Sequence, residues 1–251
     1  SLRERMNQEG LEASVWVDPR PKPDQHTMWE SLLLSAGNRE FDVLIVTASG
    51  IPKMKWLDQL PVPVVYLGTS ARSNCVGLDF GQAVETAFDA LYQSGCRSLG
   101  VIGSHGTPLS SKAAVAITGA SVFFNSLRHL AEQKGMRLHP DWLFYPEKPS
   151  PNEVSTGREN QRFGYESMLN LWEQPEHPDG LYAFDDLTAS GVVMGALRAQ
   201  IDIPQELKLA LHRNYEVGLF CPFPAMFVDV HVEEISRALI TRARQLYNGE
   251  T

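Results

Sequence analysis

GLYAFDDLTASGVVMGALRAQIDIP, residues 180–204, reads as a short apolar strand running directly into an amphipathic helix, with two carboxylates at the junction. Leu181, Tyr182, Ala183 and Phe184 form an unbroken apolar run behind Pro178, Asp179 and Gly180. That is the pattern of a strand covered on both faces in a parallel sheet. Leu187, Ala189, Val192, Val193, Ala196 and Leu197 then recur at helical spacing. In open α/β sheets, ligands bind beyond the carboxyl ends of strands, which is where Asp185 and Asp186 fall. An aspartate at a helix start also satisfies free backbone amides. The two roles are compatible.

Outward from this unit, strand and helix signals alternate, as in a parallel sheet with crossover helices. Toward the N-terminus, strands are expected at 14–17, 43–50, 61–70 and 98–106, an extended piece at 74–79, and helices at 26–36 and 53–60. Asp79 followed by Gln82 gives an acidic variant of the capping box. Behind it, Ala83, Val84, Ala87, Phe88, Leu91 and Tyr92 form a buried stripe that Gly95 closes. After a Ser-, Thr-, Pro- and Ala-rich loop at 107–120 come a helix at 121–134, a strand at 141–148 and a helix marked by Phe163, Met168, Leu169 and Trp172. LKLALHRN at 207–214 is a strand, CPFPAMFVDV at 221–230 a loop entering a short strand, and 232–247 the last helix. The change of texture near 104–120 divides the chain into two α/β lobes. The first is expected at 1–105, with 215–251 returning to it, and the second at 106–214. The opening LRERMNQEGLEASVWV reads as the tail of a helix feeding a strand, so a preceding strand and any upstream module are expected outside these residues.

The 251 residues are 43% hydrophobic and 21% charged, ample for a sizeable core. A net charge of -8 argues against this segment gripping nucleic acid, which needs a basic face. Cys75, Cys96 and Cys221 are odd in number and widely spaced, as in a reducing compartment, and no apolar run approaches the ~20 residues of a membrane span.

Several phrases in order resemble the ligand-sensing domain of the lactose-repressor (LacI/GalR) family, with its type I periplasmic-binding-protein fold. They are FDVLIVTAS, PVPVVYLGT, VGLDFGQAVETAFDALYQSGCRSLGVIG, RFGYESMLNLW, HPDGLYAFDDLTASGVVMGAL and IDIPQELKLALHRN. The resemblance runs from about residue 10 to residue 248 and implies an α/β fold of two doubly wound parallel-sheet lobes with a small effector, a sugar or related polar metabolite, held in the cleft between them. It also implies a cytoplasmic homodimer acting on DNA through an upstream helix-turn-helix module. A periplasmic solute-binding protein of an uptake system is the runner-up.

Projected through that resemblance, the strand exits that line the cleft are Ser49, Thr69, Ser104, His105, Tyr145, Asp185, Asp186, Arg213 and Asn214. Where the family often has Asn-Asp, this chain has Asp185-Asp186, so Asp185 is expected as the ligand contact and Asp186 as the helix cap. A carboxylate accepts hydrogen bonds only, which suits a hydroxyl-rich or cationic ligand. Phe123 falls where the family commonly has an effector-gripping arginine, and would stack on a ring unless it is simply core. Arg213 falls where the family often has an aspartate. It would fork onto a ligand carboxylate or phosphate, or pair internally with Asp185 or Asp186.

Catalytic alternatives are poorly supported. Adjacent Asp185 and Asp186 diverge in a strand, unlike a glycosidase pair that faces one bond. Ser104-His105 sits in GSHG and not in a GxSxG elbow. The seven histidines include no HExxH, and no P-loop or complete dinucleotide fingerprint occurs. No enzyme activity, metal or cofactor is expected.

Overall fold

A computed structural model describes residues 2–20, 27–47, 54–68, 73–103, 119–145 and 157–250, the side chains of 119–124 excepted. The chain divides into two compact units, Ser1–Leu78 with His231–Thr251, and Asp79–Val230.

The first unit holds α1 (Leu2–Gln8), α2 (Glu30–Gly37), β1 (Leu44–Val46), a 3-10 turn (Lys55–Gln59), β2 (Val64–Leu67) and β3 (Cys75–Val76). Its three strands are parallel in the order β1-β2-β3. Leu32, Ala36, Met54, Trp56, Leu57, Val64 and Tyr66 build its core. The strand expected at 14–17 is not one. Val15 and Val17 are 69% and 77% exposed, and the segment takes no place in the sheet, so β-branched composition alone does not make a strand there.

The second unit positions the site. It contains α3 (Phe80–Gln93), β4 (Ser98–Ile102), α4 (Gly119–Gln133), β5 (Arg137–Phe144), α5 (Gly157–Trp172), β6 (Gly180–Ala183), α6 (Asp186–Arg198), β7 (Lys208–Asn214) and β8 (Ala225–Val230). The five strands are all parallel, in the order β5-β4-β6-β7-β8. Alternation along β6 explains why the opening run is apolar throughout. Leu181 and Ala183 face α5 and α6 with Met168, Leu171, Val192 and Ala196. Tyr182 and Phe184 face the other way, toward Val84, Ala87, Phe88 and Leu91 of α3 and Leu127 and Ala131 of α4. The sheet is thus doubly wound, as the sequence predicts.

On the outer layer, α5 and α6 approach backbone to backbone. A Cβ on Gly191 would clash with the Gln161 carbonyl and the Tyr165 amide, so only glycine admits this packing. Asp179 fixes the start of the sheet. Its carboxylate accepts the Arg97 amide at 2.9 Å, and the Ser98 amide and hydroxyl at 2.7 and 2.9 Å. This aligns the first residues of β4 and β6, so their exits lie side by side. The capping reading of Asp79 holds, its Oδ1 accepting from the Gln82 amide at 3.0 Å.

The boundary expected at residue 105 differs from the structure. β4 hydrogen-bonds to both β5 and β6, and α3 packs on Tyr182 and Ala210, so everything from Asp79 belongs to the second unit. The texture change at 104–120 follows a strand exit within that unit. Likewise 215–230 stays with the second sheet through β8, and only His231–Thr251, with α7 (Val232–Tyr247), joins the first unit. Among the described residues, no helix is long and apolar enough to cross a membrane.

Candidate functional site

The C-terminal edge of the second sheet gathers the chemistry-bearing residues. The β6 exit supplies Phe184, Asp185 and Asp186, the β7 exit His212, Arg213 and Asn214, and β8 supplies Asp229.

Asp185 is the N-cap of α6, with φ +65° and ψ 147°. A non-glycine residue there carries strain of about 1–3 kcal/mol and persists only when its surroundings over-determine it. Here they do. Oδ1 accepts from the Leu187 and Thr188 amides, both at 2.9 Å, and Oδ2 accepts from the Thr188 hydroxyl at 2.8 Å. The helix cap expected of Asp186 is therefore Asp185, and the reason is geometric. The backbone turns at Asp185, which puts its carboxylate over the first free amides of the helix and leaves Asp186 inside the first turn. Asp186 instead reaches across to the next strand, its Oδ2 accepting from Asn214 Nδ2 at 2.7 Å. That bond ties the β6 exit to the β7 exit.

Arg213 pairs with neither acid of the junction. It lies opposite Asp229 in the β7–β8 register and forks onto it, Nε to Oδ1 at 2.7 Å and Nη2 to Oδ2 at 2.9 Å. Its guanidinium also lies 3.9 Å from the centre of the Phe227 ring. The Asp229 carboxylate beside it raises its pKa further, mainly through the hydrogen bond. The fork that would grip an anionic ligand is therefore occupied by the protein's own carboxylate. Asp229 carries no sequence signal, because its role depends on a cross-strand register that appears only in the folded sheet.

His212 is buried, 6% exposed, and its ring stacks on Phe184 with centroids 5.0 Å apart and planes 27° apart. Phe80 meets the same Phe184 edge-on at 5.2 Å. Burial pushes the His212 pKa below its ordinary value, while Asp185, Asp186 and Asp229 pull it partly back. Its only signal in the sequence is a histidine in an otherwise apolar strand. Tyr145, at the β5 exit, packs its ring against Gly103, where a Cβ would collide with it. Burial raises the Tyr145 pKa well above the usual phenol value, and Tyr182 adds to the shift. Ser49, Thr69, Ser104 and His105 lie outside the described residues, as does the Phe123 side chain. Among the described residues, no group of three or more His, Cys, Asp and Glu side chains is placed to hold a metal ion.

The periplasmic binding protein-like domain family matches residues 88–251, more than half of the chain. The HTH-type transcriptional repressor MelR of Bacillus subtilis is 24% identical over 176 residues, covering 70% of this chain and 47% of the repressor. The chain thus spans about half the length of that curated relative. A LacI family transcription regulator from Clostridium acetobutylicum superimposes with TM-score 0.72 and 17% identity, over 99% of this chain and 85% of that one. A LacI family transcriptional regulator from Lactobacillus casei with bound glucose gives TM-score 0.65 and 18% identity, over 100% and 87% of the two chains. These likenesses show the fold.

Proposed function

The chain belongs to the periplasmic binding protein-like domain family, and from that premise we propose that it is the effector-binding and dimerisation domain of a LacI/GalR-type transcriptional regulator. A small polar metabolite, of the sugar class, binds at the C-terminal edge of the second sheet. It shifts the domain between two states and so alters how a DNA-binding module is presented. This requires different affinities for the two states, since equal affinity shifts nothing. The regulator works in the cytoplasm as a homodimer. The likeness to MelR, a transcriptional repressor, supports regulation over solute uptake.

The observation that carries the reading is the strained Asp185 cap, with Asp186 bonded to Asn214 beside it at 2.7 Å. These features spend backbone strain to hold strand exits in place at the edge where α/β sheets take ligands. The same hydrogen bonds speak against catalysis by this pair. Asp185 accepts three hydrogen bonds and Asp186 is engaged by an amide, so neither carboxylate is free to act on a substrate. Ser104, His105 and Phe123, in the same unit, remain contacts implied by the family resemblance.

The test is calorimetric titration of the chain with a panel of sugars, followed by measurement of operator affinity of the full regulator with and without the best binder. The reading expects a saturable complex, unaltered ligand after incubation, and a change in DNA affinity. Chemical turnover of the ligand would overturn it.

A further inference from the structure

Among the described residues, neither ring nitrogen of His212 has a hydrogen-bonding partner, although the side chain is almost fully buried. An unmet buried polar group costs about 1–3 kcal/mol, and native proteins leave few of them. The ring cannot be dismissed as apolar filling, because a phenyl group would stack on Phe184 equally well without that penalty. His212 also lies at the exit of β7, one residue before Arg213 and two before Asn214, and it feels the charges of Asp185, Asp186 and Asp229.

The charge around it narrows what can approach. Arg213 is paired with Asp229, and among the described residues Asp185 and Asp186 have no cationic partner at this edge. An anion is repelled there. A neutral imidazole offers one donor and one acceptor, and a hydroxyl group offers the same pair, so vicinal hydroxyls match it without a change of protonation.

We infer that His212 is a direct hydrogen-bonding contact for a neutral, hydroxyl-rich ligand, and that it sets specificity against phosphorylated or carboxylated analogues. The inference rests on the effector-binding reading and deepens it. Tyr182 also has an unmet hydroxyl, but it lies deeper, in register with Val101 and Ala210, and serves as the control.

The experiment is isothermal titration of the chain with neutral sugars and sugar alcohols and with their phosphorylated counterparts. A neutral member is expected to bind and its phosphorylated form to bind at least about tenfold more weakly, the equivalent of ~1.4 kcal/mol. His212→Phe keeps the stack on Phe184 and is expected to lose about tenfold or more in affinity, with an unliganded Tm equal to or above that of the parent. His212→Gln, which restores a donor and an acceptor, is expected to recover part of the loss. Tyr182→Phe is expected to bind as the parent does. Tight binding by His212→Phe, or preference for the phosphorylated ligand, overturns this inference and leaves the effector reading standing. Failure of every member to bind the parent chain overturns both.

Discussion

Replacing Asp185 separates two opposing effects at one residue, the hydrogen bonds its carboxylate accepts and the strain of its backbone at φ +65°. Asp185→Ala removes the cap on the Leu187 and Thr188 amides, worth about 1 kcal/mol. It also strips the fully buried Thr188 hydroxyl of a charged acceptor, worth about 1–3 kcal/mol. The strain remains, because alanine tolerates positive φ no better than aspartate. A loss of about 2–4 kcal/mol is expected from these two terms. Asp185→Gly loses the same bonds but relieves the strain of about 1–3 kcal/mol that this positive φ imposes, so it should be the more stable of the two. Asp185→Asn keeps an oxygen over both amides and puts an NH2 group where Oδ2 accepts from the Thr188 hydroxyl, which can turn to accept from it instead, so the main loss is the charge at the helix N-terminus, about 0.3–1 kcal/mol. The expected order of stability is therefore parent, Asn, Gly, Ala. Urea unfolding followed by Trp142 and Trp172 fluorescence, with hydrogen exchange at the Leu187 and Thr188 amides, reads it out. An alanine variant as stable as the glycine variant would refute the strain argument. An alanine variant as stable as the parent would refute the cap.

Two further perturbations test the neighbouring strand. The His212 pKa is lower in the folded chain than its ordinary 6.5, so the unfolded chain takes up its proton first as pH falls. The stability associated with the neutral ring is present above that value and is lost below it, with a slope approaching ~1.4 kcal/mol per pH unit. Compared between about pH 7.5 and about pH 5, His212→Phe should lose less stability than the parent; parallel curves would count against a buried neutral histidine. For the forked pair, a double-mutant cycle of Arg213→Ala and Asp229→Ala should give a coupling of about 1 kcal/mol. The side chains are 22% and 26% exposed, so solvent screening keeps this below the value of a fully buried pair. Zero coupling would show that the fork contributes no stability.

The elements of the second unit were legible because their chemistry is local. The apolar run of β6, the Asp79–Gln82 cap and the stripe of α3 each announce themselves within a dozen residues. Division into units was not local. Whether β4 belongs to the first or second sheet depends on pairing with β5 and β6, and the loop composition after residue 104 says nothing about partners. The failed strand at 14–17 has the same cause, since a strand is defined by a neighbour as much as by its residues. The site divides along the same line. That the carboxyl ends of two strands, where α/β sheets take ligands, lie at Asp185 and Arg213 follows from strand polarity alone. Which acid caps the helix depends on one positive φ, and which residue neutralises Arg213 depends on a cross-strand register.

That last dependence bears on the ligand chemistry proposed for this edge. An arginine at a strand exit, taken by itself, predicts recognition of a carboxylate or phosphate. Once Asp229 occupies its Nε and Nη2, the same arginine serves mainly to hold β7 against β8. On the proposed reading, the group left to read a ligand is the His212 imidazole, whose donor and acceptor match hydroxyls. The pair also protects the exit from rearranging. Removing Arg213 leaves the Asp229 carboxylate without its fork, and its charge would then act more strongly on His212, whose pKa Asp185, Asp186 and Asp229 already raise against burial. On the proposed reading, a ligand is selected by a group that the described residues leave unpaired, the His212 ring.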